Sequence, residues 1–258
     1  MSTFWNYTIN AVFFQHINSA LPNFNFRATP QIWKRIFHLV DSIGSVDDAI
    51  EKNEEIIDKI HKYRSSYFNN FVNSIDQNSK YIEILDLINI EGGSQPPKSE
   101  HIYEYKQGYV RFIQNRDYSN ESHITYIKDS SRNKLCDEYD IMIDKYGEAG
   151  KIRYGLAGAY NVALSKITVN KNNFKEFIRD YLSQNCIKEL LFSSCQASTR
   201  ASLNESTFVG IKVPLLDDKV MDKYEKIMYS IIHYELILKQ KTKNLKEIKQ
   251  KLLNKYFD

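Results

Sequence analysis

The chain has 258 residues, 42% of them hydrophobic and 26% charged, a balance that is typical of a chain folding in water and excludes a disordered or collagen-like protein. Its formal net charge of +3 permits nucleic acid as a partner but does not argue for it. No apolar run approaches the roughly 18 residues of a transmembrane helix, and the first residues lack the basic segment of a signal peptide. Three cysteines without metal-ligand spacing indicate a reducing compartment and argue against a disulfide or zinc framework.

The first strong pattern is a heptad repeat, which follows an aromatic-rich stretch, residues 1–38, that is too short for a domain of its own. Apolar side chains then recur at alternating steps of four and three residues, broken only by Asn53 and Arg64, which is the spacing of a coiled-coil seam. The seam positions are Leu39, Ile43, Val46, Ile50, Asn53, Ile57, Ile60, Arg64, Tyr67 and Phe71. The pattern predicts a first long helix over residues 39–75.

The central part, residues 76–217, has short β-like runs between turn clusters such as Gly92–Pro97. The predicted strands are Tyr81–Leu85, Tyr109–Ile113, Tyr139–Ile143 and Leu164–Val169. One helix is predicted over residues 173–191, with an apolar face. That face comprises Phe174, Phe177, Ile178, Tyr181 and Leu182. We therefore expect a mixed α/β (α+β) domain with a mixed sheet in this region.

A second heptad repeat predicts another long helix over residues 218–258. Its seam positions are Tyr224, Ile227, Ile231, Tyr234, Leu238, Lys241, Leu245, Ile248 and Leu252. The two seams superpose at an offset of 188 residues, so that Leu39 falls on Ile227 and the polar Asn53 falls on Lys241. This is an internal repeat of long period.

The charges of the two predicted helices favour an antiparallel pair. The first helix is acidic near its start, and the second is rich in lysine near its end. With Phe71 beside Tyr224, these stretches face each other only if the helices run in opposite directions, and flanking charges select orientation more than they add stability. The alternative is that both charged stretches are simply solvated helix faces.

The common catalytic patterns do not fit this sequence. Gly147–Ile152 resembles a phosphate-binding loop, but it has two residues instead of four between its glycines, and no Ser or Thr follows Lys151. The six histidines form no HExxH pair. Asp140, Asp144 and Glu148 are the carboxylates from which a metal-dependent nuclease site could be assembled, and they form the alternative enzyme hypothesis. We expect no catalysis, no metal and no cofactor bound by this chain itself.

The helices and the motifs between them resemble the specificity (S) subunits of type I restriction–modification enzymes, which look like this plan doubled. The motifs that carry the resemblance are Gly92–Pro96, Gln107–Asp117, Asp140–Gly150 followed by Asn161, Ser198–Leu203 and Ile211–Leu216. The similarity covers roughly residues 30–258. Such a subunit has two target-recognition domains and this chain has one. The chain therefore resembles the C-terminal half of a subunit or a half-subunit, with residues 1–38 as the remnant or tail of an upstream recognition domain.

The resemblance implies a non-catalytic, cytoplasmic subunit whose recognition domain (residues 76–217) reads a half-site in double-stranded DNA. The two spacer helices would dock methyltransferase (M) subunits, which bind S-adenosylmethionine and methylate adenine, and a restriction (R) subunit would use ATP and magnesium. A homodimer or a second S fragment would supply the second recognition domain. The alternative function is a coiled-coil protein–protein adaptor with no DNA role.

Reading DNA requires planar hydrogen-bonding side chains for base edges and cations for phosphates. Asn and Gln side chains fit the hydrogen-bonding edge of adenine, and Arg fits that of guanine. The loop candidates for base contacts are Gln95, Gln114, Asn115, Arg116 and Arg200. The candidates for phosphate contacts are Lys98, Arg111, Lys145, Lys151 and Arg153. Tyr146 is a further candidate, for stacking or for a contact with the DNA backbone.

Overall fold

The computed structural model describes residues 30–76, 78–196 and 202–257. The helices in these residues are α1 (Pro30–Asn73), α2 (Lys175–Leu182), α3 (Asn185–Gln196) and α4 (Asp218–Phe257). The strands are β1 (Tyr81–Glu83), β2 (Ile88–Gly92), β3 (Tyr109–Ile113), β4 (Thr125–Lys128), β5 (Leu135–Cys136), β6 (Ile141–Asp144), β7 (Ile152–Arg153), β8 (Gly158–Tyr160), β9 (Leu164–Val169) and β10 (Lys212–Pro214). None of the helices in this part of the chain combines the length and apolar character that crossing a membrane requires.

The strands form three small sheets between the two long helices in the chain order. One sheet has the order β2-β9-β6-β7 and is antiparallel throughout, and the second has the order β4-β3-β8-β5. In the second sheet β3 pairs with β8 in parallel, while its other pairs are antiparallel. A two-stranded ribbon joins β1 to β10, with Tyr81 opposite Pro214. The predicted α+β class with a mixed sheet is therefore confirmed.

The described residues divide into two compact units, 30–52 with 243–257 and 53–242. The core of the larger unit is aromatic where the helices meet. Phe177 of α2 lies with its ring centroid 5.6 Å from Phe68 of α1 and 5.7 Å from Tyr224 of α4. All three are almost fully buried, as are Ile141 and Ile167 of the adjoining sheet. Burial of each such side chain stabilises the unit by about 1.5–3 kcal/mol, so the sheet and both long helices share one core.

Two of the predicted strands, Tyr109–Ile113 and Leu164–Val169, have the predicted bounds. The first predicted strand is shorter, because a 3₁₀ turn begins at Ile84 after Glu83. The strand predicted from Tyr139 begins instead at Ile141 and ends at Asp144.

The helix predicted over residues 173–191 is two helices, so this prediction was wrong in its continuity. Its apolar face is correct, since Phe174, Phe177, Ile178 and Leu182 are buried and Tyr181 is partly buried. The break follows Leu182. There the Ser183 hydroxyl donates to the carbonyl of Arg179, and the Gln184 side chain donates to the carbonyl of Asp180. These side chains satisfy carbonyl groups of the last turn, which allows α2 to end at this point.

Helix α1 begins at Pro30, nine residues before the predicted start at Leu39. Proline is favourable at the first helical position, because its missing N–H would have no partner there. Residues 30–38 thus belong to the helix. The interpretation of residues 1–38 as the remnant or tail of an upstream recognition domain concerns mostly residues 1–29, which lie outside the described residues.

The two long helices are antiparallel, as the charge pattern predicts. In the larger unit, the rings of Phe71 and Tyr224 lie 4.6 Å apart between centroids, and His61 Nε2 lies 3.0 Å from Glu235 Oε1. The two helices therefore run in opposite directions where they pack against each other. In the smaller unit, Lys249 Nζ contacts Asp47 Oδ1 at 2.6 Å, which joins the acidic start of α1 to the lysine-rich end of α4.

Several of the seam positions predicted for α4 are displaced by one residue, including Ile231, whose neighbour Ile232 is fully buried. Met228, Glu235 and Thr242 are buried, whereas the predicted Tyr234 and Ile248 are about half exposed. Glu235 is fully buried because cations surround its carboxylate. Those cations are Arg64 at 3.5 Å and Lys239 at 2.6 Å, and His61 Nε2 lies 3.0 Å from the same carboxylate. The polar Arg64 of the first seam thus faces a polar partner, which the apolar heptad rule does not anticipate.

Candidate nucleic-acid interface

A turn at residues 161–163, which we call the Asn161 turn, brings three loops of the central domain together. The backbone N–H of Asn161 donates to the carbonyl of Ile113 at the end of β3 (3.0 Å). The Lys145 amide donates to the carbonyl of Ala163 (2.8 Å), and the Ser94 amide donates to the carbonyl of Tyr160, one residue before the turn (3.1 Å). The loops that follow β2, β3 and β6 therefore meet at one place, although they lie far apart in sequence.

Close backbone contact at this place requires a glycine. A Cβ atom on Gly93 would lie 2.1 Å from the carbonyl oxygen of Asn161, which no side chain permits. A Cβ on the preceding Gly92 would lie 3.7 Å from Lys145 Nζ, an ordinary contact. The Gly92–Pro96 motif thus places its loop directly against the turn and beside a lysine predicted to bind phosphate.

Most of the predicted base-contacting side chains lie on these loops. Gln95 and Arg116 are exposed, and Asn115 is partly exposed. Gln114 is partly exposed and donates to Thr125 Oγ1 at 3.4 Å, while its backbone N–H donates to the Asp117 carboxylate. That second bond closes the 3₁₀ turn Asn115–Tyr118, on which the Asn115 and Arg116 side chains are presented.

The Arg200 candidate lies outside the described residues. The chain resumes beside the same loops, because the Leu203 amide donates to the carbonyl of Lys145 at 3.2 Å. Lys145 itself is partly exposed, and Tyr146 is 44% exposed. Lys98 is exposed on the 3₁₀ turn Lys98–Glu100, farther along the loop that follows β2.

Three of the predicted phosphate-binding cations are paired with carboxylates. Arg111 Nη1 lies 2.7 Å from Glu121 Oε1. Arg153 donates to Asp144 Oδ2 from Nε (3.1 Å) and from Nη2 (2.9 Å), and Lys151 Nζ lies 2.8 Å from Glu148 Oε2. The Arg111 and Arg153 side chains are only 16% and 12% exposed, so both guanidinium groups have structural partners.

The same ion pairs bear on the carboxylates of the enzyme hypothesis. Asp144 is buried, and burial raises its pKa while Arg153 acts in the opposite direction. Asp140 lies 3.6 Å from Lys166 and 3.9 Å from Lys175. Across the described ranges, no three His, Cys, Asp or Glu side chains are grouped to hold a metal ion. Each of these carboxylates is thus paired with a neighbouring cation.

Tyr118 connects the 3₁₀ turn to the hairpin between β6 and β7. The Arg153 guanidinium lies 5.8 Å from the centre of its ring, a distance compatible with cation–π attraction. Burial raises the pKa of the Tyr118 hydroxyl, which stays neutral. The segment that presents Asn115 and Arg116 is therefore held against the segment that presents Lys145 and Lys151.

An exposed aromatic segment of the second sheet was missed by the sequence analysis. Tyr103 and Tyr105 are each 71% exposed, and residues 102–106 line an open cavity of about 540 Å³. The segment forms an edge of the second sheet, because Ile102 pairs with Tyr126 of β4. The alternation Tyr-Glu-Tyr-Lys at residues 103–106 is the signal that could have indicated a surface segment.

The strand order and the paired helices define a class of α+β domain that lies in sequence between two antiparallel helices. The chain belongs to the family of type I restriction modification DNA specificity domains, whose model matches residues 76–250. The predicted resemblance is thereby confirmed. No curated protein matches the chain.

Three solved structures resemble the chain at low sequence identity, and the first of them shows the same fold. The S subunit of a type I restriction–modification system from M. genitalium is 18% identical with a TM-score of 0.64, over 86% of this chain and 60% of that one. The HsdS subunit from Thermoanaerobacter tengcongensis is 15% identical with a TM-score of 0.47, over 86% of this chain and 56% of that one. A chain from a study of complex assembly and conformational transition of the type I R-M system is 14% identical with a TM-score of 0.45, over 88% and 59%. The chain thus spans less than two thirds of each of these structures.

Proposed function

We propose that this chain is a DNA specificity subunit, or half of one, in a type I restriction–modification complex, and that it reads one half-site of double-stranded DNA. Family membership supports this role. The observation that carries it is the meeting of three predicted DNA-contacting loops at the Asn161 turn. A surface that presents exposed amide and guanidinium groups beside lysines has the chemistry that base readout and phosphate contact require.

The burial of each side chain divides the candidates into two groups. Gln95 and Asn115 lie outside the buried ion pairs, and Arg116 is 57% exposed although its Nε lies 3.7 Å from Asp117 Oδ1. These three are assigned to base edges, and Lys98 and Lys145 to phosphates. The paired Arg111 and Arg153 are assigned instead to positioning, since each holds its strand against a neighbouring acidic side chain. Tyr146, half exposed beside Lys145, is assigned to a contact with the DNA backbone.

The long helices are proposed to dock methyltransferase subunits and to set the spacing between half-sites. With one recognition domain in the chain, the second half-site would be read by a second copy or by another S fragment. A two-fold homodimer would then read a palindromic split site. On this proposal the chain binds no cofactor itself. S-adenosylmethionine binds to the methyltransferase subunits, and ATP and magnesium bind to the restriction subunit.

The test is co-purification with the methyltransferase subunit encoded beside this chain, followed by mapping of methylated adenines on random DNA. We expect a discrete split motif, palindromic if two copies act together. Substitution of Arg116→Gln should relax the motif at one position, since a good bidentate contact discriminates by about 1–3 kcal/mol. Arg132→Gln is the matched control, because Arg132 is an exposed arginine on a turn outside the three loops.

Two results would contradict the proposal. An unchanged motif and rate for the R116Q complex would remove the assignment of Arg116 to base readout. A chain that binds neither the methyltransferase subunit nor DNA would instead favour a protein–protein adaptor.

A further inference from the structure

Glu148 neutralises two cations at the surface of the hairpin between β6 and β7. Its carboxylate oxygens lie 2.8 and 3.0 Å from Lys151 Nζ, and Oε2 lies 2.9 Å from Arg153 Nη2. The side chain is 53% exposed. The hydrogen bond from Lys151 lowers the pKa of Glu148, so the carboxylate is charged at neutral pH. An acidic group therefore occupies the outer side of this hairpin, beside Lys151, which the sequence predicts to be a phosphate contact.

The two acidic partners of this hairpin differ in how firmly they are held. Asp144, whose side chain is only 1% exposed, binds Arg153 from the interior through two hydrogen bonds. Glu148 faces solvent, where an ion pair with a lysine contributes little to stability. A DNA phosphate carries a similar charge and accepts the same hydrogen bonds as a carboxylate. A phosphate can thus replace Glu148 at Lys151 while Asp144 keeps Arg153 in place.

We propose that Glu148 is an intramolecular phosphate mimic, which occupies the phosphate position of the hairpin in the free protein and lowers its affinity for DNA. The inference rests on the proposed function, because it requires that the hairpin contact DNA. Phosphate contacts carry no sequence information, so Glu148 weakens binding to every duplex alike. The consequence is a subunit that dissociates readily from the excess of non-target DNA.

The direct test is Glu148→Gln, which keeps the shape and the hydrogen-bond acceptor but removes the charge. The full chain in complex with its methyltransferase subunit is titrated with two duplexes, one with the mapped motif and one without it, from 0.05 to about 0.3 M salt. One freed phosphate contact steepens the plot of log K against log salt by about 0.9 and tightens binding about five-fold at 0.15 M. We expect these changes for both duplexes. Glu138→Gln, in the loop between β5 and β6, is the control with the same charge change at another exposed glutamate.

A double-mutant cycle shows whether Glu148 acts through Lys151. Lys151→Gln should weaken binding and flatten the salt dependence, and adding E148Q to K151Q should then give much less than five-fold. An unchanged or weaker affinity of E148Q for both duplexes would overturn the inference. So would weakening on the target duplex alone, because that result indicates base readout by Glu148. If the wild-type complex binds no duplex, the proposed function fails first; if it binds and E148Q has no effect, only this inference fails.

Discussion

Replacing Arg64 with methionine is the most informative test of the helix pair. Arg64 is 8% exposed, and it donates to Asp180 Oδ1 at 2.5 Å and to the Tyr154 hydroxyl at 2.7 Å. It also lies 3.5 Å from Glu235. Methionine fills much of the same volume without charge, so the substitution isolates the electrostatic contribution of the guanidinium group.

The two carboxylates respond differently to the loss of Arg64. Glu235 keeps Lys239 at 2.6 Å and His61 at 3.0 Å; although burial acts to raise its pKa, His61 and Lys239 lower it to about 2. Asp180 keeps the hydrogen bond from the Tyr224 hydroxyl (2.7 Å). Leaving one buried carboxylate without its cation costs about 3–5 kcal/mol, which corresponds to a fall of about 10 °C in Tm for a domain of this size.

The defect should depend on pH in a defined direction. Burial already raises the pKa of Asp180 against the opposing effect of Arg64, and removing the cation raises it further. A carboxyl group whose pKa is higher in the folded state destabilises the fold as pH rises above its unfolded value of about 4. The R64M variant should therefore lose more stability at pH 7.5 than at pH 4.5.

The assay is thermal denaturation followed by far-UV circular dichroism at both pH values. Lys62→Met, an exposed position on the same helix, is the matched control and should leave Tm within about 2 °C of wild type. The double variant R64M/D180N removes the uncompensated charge and should recover most of the loss. Equal Tm values for the single and double variants, or a defect of the same size at both pH values, would refute the reasoning.

Two further predictions concern the Asn161 turn and a buried carboxyl group. Gly93→Ala forces its Cβ against the carbonyl of Asn161 and should lower the unfolding free energy by roughly 1–3 kcal/mol. Gly44→Ala, in a helix with open space around it, should instead raise the unfolding free energy by roughly 0.5–1 kcal/mol. Equal changes for the two variants in urea denaturation would contradict the close contact at the Asn161 turn. Burial and the nearby Glu176 raise the pKa of Glu225 to about 7, so wild-type stability is lost as pH rises from about 4.5 through 7. Glu225→Gln should therefore raise Tm at pH 8 and change it little at pH 5, and an equal gain at both would count against this assignment.

The seam of α4 shows where prediction from sequence succeeds and where it fails. The period, the direction of pairing and the contact between Phe71 and Tyr224 follow from apolar spacing and charge. The rotation of the helix does not, because the rule places Tyr234 inside and Glu235 outside. The structure reverses this choice, since a carboxylate surrounded by cations can be buried. Such compensation depends on residues distant in sequence, which a local pattern does not contain.

Prediction from sequence also succeeds for one part of the candidate site and fails for another. The positions of the loops were predictable, because clusters of glycine and proline favour turns. The charge state of the loops was not predictable, since Arg111 and Arg153 are paired with Glu121 and Asp144, and pairing depends on how the strands align. The role of the Asn161 turn was equally hidden, because its contacts are made by backbone groups that every residue possesses.

The pairing of β1 with β10 has a consequence for how the central domain is synthesised and inherited. These strands are separated by about 130 residues, so at a translation rate of roughly 5–20 residues per second β1 waits roughly 7–26 seconds for its partner. During that interval its edge stays unpaired, and the core is completed only later, after Tyr224 of α4 has been synthesised. In the finished protein, the polypeptide enters and leaves the domain through adjacent strands. A recombination event with crossovers at these two strands would therefore exchange the segment between them and leave both helices unchanged. The two ends of the exchanged segment lie side by side, because β1 pairs with β10.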